Sequence, residues 1–356
     1  MKTDTLKKSL LDYAIKGKLT ARFRRENSGL NAFDELEIYN ETIKEKRKDL
    51  EKKLKICEKE LKLEKDKDKK ALFKSQIQML KKELTKCKEI TPLFCHTEPL
   101  GEVSNNIEST TSIIAKRKGV YPLPAPLNPE KNKAAAVSKE ASLSFRQSRG
   151  EPRLSASSTQ AEAGHYCPPF SAFAHHEAGE SEAPFEIPNS WAWVKGYDIF
   201  LPIDNTEPQG DFFKYIDIDS IDNKNKKVKS PKTIETKNAS SRARRPLKYG
   251  DVLFSMVRPY LENIALIDEA LADCIASTGF FVCRTNILDS RFLYYLMTSP
   301  YVVYGLNSFM KGDNSPSIVK DDILNFNYPL PPLCEQEHIV QTLDTLFTLK
   351  KGLRVE

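Results

Sequence analysis

The residues best suited to chemistry are basic and form one run between residues 223 and 248, "NKNKKVKSPKTIETKNASSRARRPLK". Lysine side chains suit phosphate groups, and an arginine fork can also bind a guanine edge through two hydrogen bonds. Glu235 is the one acidic residue of the run. The pattern predicts a basic loop that contacts nucleic acid, with a solvated surface loop as the alternative. Its basic residues are Lys224, Lys226, Lys227, Lys229, Lys232, Lys237, Arg242, Arg244, Arg245 and Lys248.

A second polar stretch, "MKGDNSPSI" at 310–318, has the composition of a turn. Its polar side chains Lys311, Asn314 and Ser315 could project into a groove, although turns are polar in general. Arg258, which follows a predicted strand, is a further basic candidate. We expect these residues to share the nucleic-acid contact with the basic run.

The sequence carries few marks of catalysis. It has no phosphate-binding G-x-x-x-x-G-K-[ST] loop, no dinucleotide-type glycine fingerprint and no H-E-x-x-H. Asp217 and Asp219 would share one face of a strand and could hold a metal ion, with a solvated strand face or a turn as the alternative. Spacing among His165, Cys167 and the histidine pair 175–176 fits no ordinary zinc module. We therefore expect no catalytic residue, no metal site and no cofactor bound by this chain.

Charge is spread unevenly over the 356 residues. Residues 1–100 carry 26 Lys and Arg against 18 Asp and Glu, residues 101–183 carry 9 against 9, and residues 184–356 carry 20 against 22. The net charge of +6 alone does not decide for nucleic acid. Seven scattered cysteines without a Cys-x-x-Cys, no apolar run of about 20 residues and no signal peptide predict a cytoplasmic protein without a membrane partner.

The N-terminal part reads as helical. The first helix would be capped by Asp4 or Thr5 and would end at Gly17. Residues 34–89 form a charged helical region whose apolar stripe needs a partner helix. The apolar-free stretch "EKDKDKK" at 64–70 is either a solvated turn of one long helix or the bend of a helical hairpin. The expected packing residues of the stripe are Leu50, Leu54, Leu61, Ile77, Leu80 and Leu84.

Residues 104–184 are rich in Ser, Ala, Pro, Glu and Gly, which predicts a disordered linker or insertion. A globular α+β domain begins near Phe185. Its predicted strands are 213–218, 251–257, 263–267 and 278–285, and residues 289–306 read as helical with Phe292, Tyr295, Leu296 and Val302 as core candidates.

The stretch "YPLPPLCEQEHIVQTLDTLF" at 328–347 marks a helix start. Pro332 suits the first turn, and Glu335 and Glu337 favour the positive N-terminal end. Apolar residues then recur at helical spacing and predict a buried face that packs on a partner helix. The residues expected to pack there are Ile339, Val340, Leu343 and Phe347.

Several phrases, in order, resemble the DNA-specificity (S) subunit of type I restriction-modification enzymes. "LKKSLLDYAIKGKLT" is similar to the leader of such subunits, and "PFEIPNSWAWVKGYDI" to the entry of a target-recognition domain. "SSRARRPLKYGDVLFSMVRPYLENIALID", "IASTGFFVCRTN" and "FLYYLMTSPYVV" resemble its interior. "GDNSPSIVKDDILNFNYPLPPLCEQEHIVQTLDTLF" resembles its exit.

The resemblance implies a non-catalytic reader of double-stranded DNA. In the family, two recognition domains sit at opposite ends of a pair of long antiparallel helices, and each reads half of a divided target. Methyltransferase (M) subunits bring S-adenosylmethionine, and a restriction/translocase (R) subunit brings ATP and magnesium. The sequence pattern and the resemblance together predict five segments: a helical leader (1–33), a charged helix or hairpin (34–91), a linker or insertion (92–183) that the family does not usually place there, a recognition domain (184–331) and a spacer-helix start (332–356).

The sequence departs from the family pattern in showing one recognition domain and no internal repeat, so we expect a half or truncated subunit. Two copies pairing through residues 36–89, or a second half-subunit, would supply the other recognition domain. A rival interpretation is a coiled-coil protein that binds or sequesters methyltransferase subunits without reading DNA. A third is an independent nuclease that uses Asp217 and Asp219.

Overall fold

The computed structural model describes residues 2–93 and 183–352, and the side chains of residues 5–350 within those ranges. The predicted low-complexity segment lies almost wholly outside the described residues, as do His165, Cys167, His175 and His176. Within the described residues, no helix is both long enough and apolar enough to span a bilayer.

The described residues form helices and short strands in an α+β arrangement, as the sequence predicts. The helices are α1 (Lys2–Ile15), α2 (Ala21–Glu26), α3 (Ala32–Leu63), α4 (Lys67–Lys86), α5 (Gly196–Ile199), α6 (Ser290–Met297), α7 (Pro300–Asn307), α8 (Lys320–Asn325) and α9 (Leu333–Gly352). The strands are β1 (Ala192–Lys195), β2 (Phe212–Ile216), β3 (Ile221–Asp222), β4 (Lys227–Val228), β5 (Lys232–Glu235), β6 (Ala243–Pro246), β7 (Val252–Ser255), β8 (Ile264–Leu266), β9 (Ile275–Ser277), β10 (Phe280–Cys283) and β11 (Asn327–Leu330).

The strands form several small sheets rather than one large sheet. A four-stranded sheet has the order β5-β2-β9-β6, and a three-stranded sheet has the order β10-β7-β8. Strand β1 pairs antiparallel with β11, so the first and last strands of the domain lie side by side. The main core lies between α1, β1, β7 and the helices α6 to α9, with Trp191, Phe292 and Leu343 fully buried. A second cluster fills the space between the two larger sheets.

Helices α3 and α4 form a hairpin, which settles the choice that the sequence left open. The bend lies at 64–66, where the Glu64 carboxylate accepts the backbone N–H groups of Lys65 and Asp66. The Asp66 side chain then caps α4 by accepting the N–H of Asp68. Of the predicted stripe, Leu50, Leu80 and Leu84 cluster with Ile43 and Cys87, Ile77 is buried, and Leu54 and Leu61 are half-buried. The stripe finds its partner helix within the same chain and does not require a second copy.

Both ends of the hairpin are attached to the segment that enters β1. The Ala32 N–H donates to the Ser190 carbonyl, and the Leu93 N–H donates to the Trp193 carbonyl, each at 2.8 Å. The Asn40 side chain exchanges two hydrogen bonds with the Ile90 backbone across the base. The hairpin is thereby fixed to the globular domain at its base.

Helix α9 is joined to the leader through one buried carboxylate. Glu335, predicted to serve the positive end of the helix, accepts hydrogen bonds from the Thr20 hydroxyl, the Arg24 guanidinium and the Trp191 indole N–H. The start of the helix is also capped from outside, because the Leu333 N–H donates to Glu35 Oε2 at 2.8 Å. The predicted stripe packs on α1 and α6 of this chain: Ile339, Val340 and Leu343 are buried, and Phe347 stacks edge-on against Tyr295.

Several local expectations need correction. Helix α1 begins at Lys2, before the predicted caps Asp4 and Thr5, although Gly17 does follow its end with φ +67°. Residues 289–306 form two helices instead of one, because the Ser299 hydroxyl caps a new helix at Val302 N–H. All four predicted strands occur in shortened form.

Candidate nucleic-acid interface

The basic run 223–248 is not one loop, which corrects the prediction from sequence. It holds the β3–β4 turn, strand β4, strand β5, a short 3₁₀ turn at 236–238 and strand β6. Strands β5 and β6 lie at opposite edges of the four-stranded sheet, with β2 and β9 between them. The basic side chains of the run are therefore divided among separate places on the domain.

One part of the run meets two other turns on a common surface. The Asn223 side-chain amide donates to the Leu261 carbonyl at 3.1 Å, which joins the β3–β4 turn to the turn between β7 and β8. The Arg258 N–H donates to the Pro316 carbonyl at 2.8 Å, which joins that second turn to the predicted polar turn. We call residues 223–227, 258–262 and 309–317 together the three-loop face.

A partly buried ion pair holds the first two loops of this face together. Lys226 Nζ lies 2.6 Å from Glu262 Oε2, and Lys8 Nζ from α1 lies 3.1 Å from Glu262 Oε1. Burial raises the pKa of the Glu262 carboxyl, but the two ammonium groups outweigh it and hold that pKa below its usual value. Lys226, which the sequence predicts as a DNA-binding residue, thus forms an ion pair within the protein instead.

Backbone strain is concentrated on the three-loop face. Among the described non-glycine residues, positive φ angles occur at Lys226 (55°), Arg258 (47°) and Glu262 (53°), and all three belong to the face. A left-handed backbone conformation costs a non-glycine residue about 1–3 kcal/mol, and it persists only where surrounding contacts stabilise it. The cross-loop hydrogen bonds supply those contacts, so the loops present a fixed surface.

The exposed side chains of the face are of types that can bind DNA. Lysine and arginine bind phosphate, and asparagine can bind adenine edges. The face also exposes three apolar side chains that sequence reasoning missed, Tyr260, Leu261 and Phe309. A signal for two of them was present in "RPYLE", an apolar pair at a proline turn between two strands. The predicted residues that it exposes are Lys224, Lys227, Arg258, Lys311, Asn314 and Ser315.

The arginines of β6 lie elsewhere and are partly occupied. Arg245 donates to the Ile203 carbonyl at 3.4 Å, and its burial lowers the pKa of the guanidinium. Arg244 lies 3.6 Å from the carboxylate of Glu207. These two side chains hold the segment before β2. Arg242 and Lys248, at either end of the strand, are exposed.

The acidic pair does not form the predicted strand face. Strand β2 ends at Ile216, and Asp217 caps the 3₁₀ turn 218–220 by accepting from Ser220 N–H and Oγ. Burial raises the pKa of the Asp217 carboxyl, but the hydrogen bonds from Lys232 and Ser220 outweigh burial and hold that pKa below its usual value. Within residues 2–93 and 183–352, no group of three His, Cys, Asp or Glu could hold a metal ion.

Comparisons with known proteins match this chain to type I restriction specificity domains and subunits. Residues 201–356 match the family described as the type I restriction modification DNA specificity domain. The chain is 31% identical over 114 residues to the type I restriction enzyme MjaVIII specificity subunit of Methanocaldococcus jannaschii, covering 30% of this chain and 27% of that protein. It is 25% identical over 164 residues to the EcoDI specificity subunit of Escherichia coli, covering 45% and 36%.

A solved structure is also similar, that of the HsdS subunit from Thermoanaerobacter tengcongensis. It is 38% identical, with a TM-score of 0.45, and the match covers 49% of this chain and 46% of that one. The chain thus spans less than half the length of each of these relatives.

Proposed function

We propose that this chain selects a sequence in double-stranded DNA for a type I restriction-modification complex. The proposal rests on residues 201–356, which match the type I restriction modification DNA specificity domain family. The chain's partners would be duplex DNA, methyltransferase subunits and a restriction/translocase subunit. The matched relatives are named as specificity subunits, which supports this role.

The observation that carries the proposal is the convergence of three loops into one rigid, basic and polar face. Lys224, Lys227 and Lys311 would neutralise phosphates, which supplies affinity without sequence information. The Arg258 guanidinium can donate to the two acceptors of a guanine edge, and the Asn314 amide can donate to and accept from an adenine edge in the major groove. Because the loops are tied to one another, little conformational entropy is lost when they bind.

Arg242 and Lys248 would extend the contact along the duplex from the end of β6. Both side chains are exposed, with Arg242 directly before β6 and Lys248 two residues after it. We place Arg244 and Arg245 in a supporting role, since each already contacts the segment around Ile203 and Glu207. Lys226 supports the face in the same way through Glu262.

The chain would act without catalysing a reaction itself. Methyl transfer would use S-adenosylmethionine on the methyltransferase subunits, and DNA translocation and cleavage would use ATP and magnesium on the restriction subunit. The sequence supports this division, since it lacks the phosphate-binding and dinucleotide motifs. We place the protein in the cytoplasm, where such a complex meets DNA.

A divided DNA target would require a second recognition domain, supplied by another copy of this chain or by a different half-subunit. The described residues contain one such domain. We expect light scattering of the chain with methyltransferase subunits to give a mass with two copies for a symmetric target. A mass with a single copy would contradict homodimer assembly and leave DNA reading by one domain to be measured separately.

The function is tested by selection from a random-sequence duplex library, using the full chain with type I methyltransferase subunits. The proposal predicts enrichment of one sequence and a mobility shift that a scrambled duplex of equal length does not give. A sequestering coiled-coil protein predicts complex formation with the methyltransferase but no sequence-selective shift. An independent nuclease predicts magnesium-dependent cleavage by the purified chain.

A matched pair of variants localises the contact. Lys311→Ala removes a charge from the three-loop face, and Lys55→Ala removes an exposed charge from α3. The proposal predicts weaker binding of the selected duplex by the first variant and unchanged binding by the second. Equal effects would place the contact outside the three-loop face.

A further inference from the structure

We infer that Tyr260 and Leu261 form an apolar crest that enters a groove of the bound duplex and packs against its bases. The inference rests on the proposed function and adds to it a residue pair that contacts bases without hydrogen-bonding to phosphate. The crest is the middle of the turn between β7 and β8.

The backbone of this turn is fixed from within. The Leu261 N–H donates to the Arg258 carbonyl and the Glu262 N–H donates to the Pro259 carbonyl, each at 2.9 Å. Arg258 and Glu262, which flank the crest, both have left-handed backbone angles. Pro259, the first residue of the same turn, is buried, and its ring fixes its own φ. The crest is therefore a tight, preset turn.

Contacts from two other loops hold the turn in place. Arg258 is bound at its N–H by the Pro316 carbonyl, and its guanidinium donates to the Asn314 carbonyl at 3.3 Å. On the other side, Asn223 binds the Leu261 carbonyl and Lys226 binds the Glu262 carbonyl at 2.9 Å. A loop held this firmly does not need exposed apolar side chains for its own stability.

The two side chains at the crest nevertheless remain in water. Tyr260 is 46% exposed and Leu261 is 39% exposed, while the neighbouring Pro259 is buried. Large apolar side chains on a rigid, exposed turn are typical of a contact surface. Inserted apolar side chains of this kind are used by DNA-binding proteins to contact and part base steps.

Charge around the crest favours duplex DNA as the occupant over an apolar protein groove. Exposed Lys224 and Lys227 lie on one neighbouring loop, and exposed Lys311 lies on the other, which also carries exposed Asp313. Two rows of phosphates flank a groove, so basic residues on both sides of an apolar centre complement it. The crest would enter the groove while the lysines contact the strands.

The test uses the duplex enriched from a random library by the full chain, as described above. Tyr260→Ala and Leu261→Ala are compared with Tyr13→Ala, which truncates a tyrosine 55% exposed on α1. We expect each crest variant to weaken binding of the enriched duplex about 10- to 100-fold, with little change on a scrambled duplex. The slope of log Kd against log salt should stay unchanged, because no phosphate contact is lost.

A second readout reports insertion directly. 2-Aminopurine placed at successive positions of the enriched duplex should brighten at one step when the wild-type chain binds, and Tyr260→Phe should retain the signal. Tyr260→Ala should lose it while melting at the wild-type temperature.

Unchanged affinity and fluorescence in both crest variants, with selective binding intact, would overturn the inference and leave the proposed function standing. A reduced salt slope in Tyr260→Ala would also overturn it, since it would indicate a phosphate contact. Failure of the library to enrich any duplex would contradict the proposed function and the inference together.

Discussion

Lys226 and Glu262 are joined twice, with Nζ 2.6 Å from the Oε2 atom of the carboxylate and 2.9 Å from the main-chain carbonyl oxygen of the same residue. Both residues hold left-handed backbone angles. The contact ties the β3–β4 turn to the turn between β7 and β8, and Lys8 ties the same carboxylate to α1. One carboxylate therefore links two of the three loops of the proposed DNA-binding face to each other and to α1.

Replacing this carboxylate should loosen the face. We expect Glu262→Gln to lower the free energy of unfolding by about 2 kcal/mol, because it leaves the ammonium groups of Lys226 and Lys8 facing a neutral amide. Urea denaturation measures the change. A double-mutant cycle with Lys226→Gln should show coupling between the two substitutions, and additive effects would contradict a direct ion pair.

The same pair predicts a pH dependence. The pKa of Glu262 is lowered in the folded state from its usual value of 4.5, since its pairing with Lys226 and Lys8 outweighs its burial. Its contribution to stability is present above pH 4.5 and is lost as the pH falls through the lower folded-state pKa. The stability difference between wild type and Glu262→Gln should therefore shrink between pH 5 and pH 3 in thermal melts. A difference constant over that range would refute the assignment.

A second carboxylate should matter more for stability. Glu335 is fully buried and accepts from Thr20, Arg24 and Trp191, so Glu335→Ala leaves three donors without their acceptor. We expect a loss of about 4 kcal/mol by urea denaturation. Glu337→Ala, two residues along the same helix and exposed, should change stability by less than about 0.5 kcal/mol. Similar losses in both variants would show that the buried contact is not the cause.

Gly17 should be required where the leader turns towards the recognition domain. Its φ is +67°, and an added Cβ would lie 2.4 Å from Cγ of Pro188. We expect Gly17→Ala to destabilise the protein by about 2 kcal/mol. Gly29→Ala is the control, since its Cβ would meet nothing within 4 Å and the melting temperature should stay near wild type.

The salt dependence of DNA binding should distinguish Lys311, which we expect to contact phosphate, from Lys226, which pairs with Glu262. Lys311→Ala should reduce the slope of log Kd against log salt by about 1, because each lost phosphate contact releases one counterion fewer. Lys226→Ala should weaken binding through disorder of the face but leave that slope nearly unchanged. The reverse result would show that Lys226 contacts phosphate in the complex.

The sequence predicts those features whose cause is local. The end of α1 shortly before Gly17 and the strands around Phe254 and Phe281 follow from turn residues and apolar runs. The hairpin α3–α4 follows from two apolar stripes, but the bend itself was ambiguous because charged residues suit a solvated helix and a turn equally. The polar turn with Lys311, Asn314 and Ser315 was also correctly located.

The remaining features depend on contacts between distant residues. Strands β5 and β6 were missed because lysine and arginine replace the apolar alternation, and backbone pairing with β2 and β9 holds them in the sheet. Glu335 read as a helix-end charge, but its partner Arg24 is 311 residues away. Lys226 and Glu262 lie in different loops and meet only in the folded chain, so no local sequence pattern predicts their ion pair.

We propose above that this chain reads duplex sequence for enzymes carried on other subunits. The most direct test of this proposal is the affinity of the full chain, together with type I methyltransferase subunits, for the library-enriched duplex and for a scrambled duplex at the same salt concentration. We expect the enriched duplex to be bound at least about 1,000-fold more tightly than the scrambled one. Equal affinity for the two duplexes would contradict it.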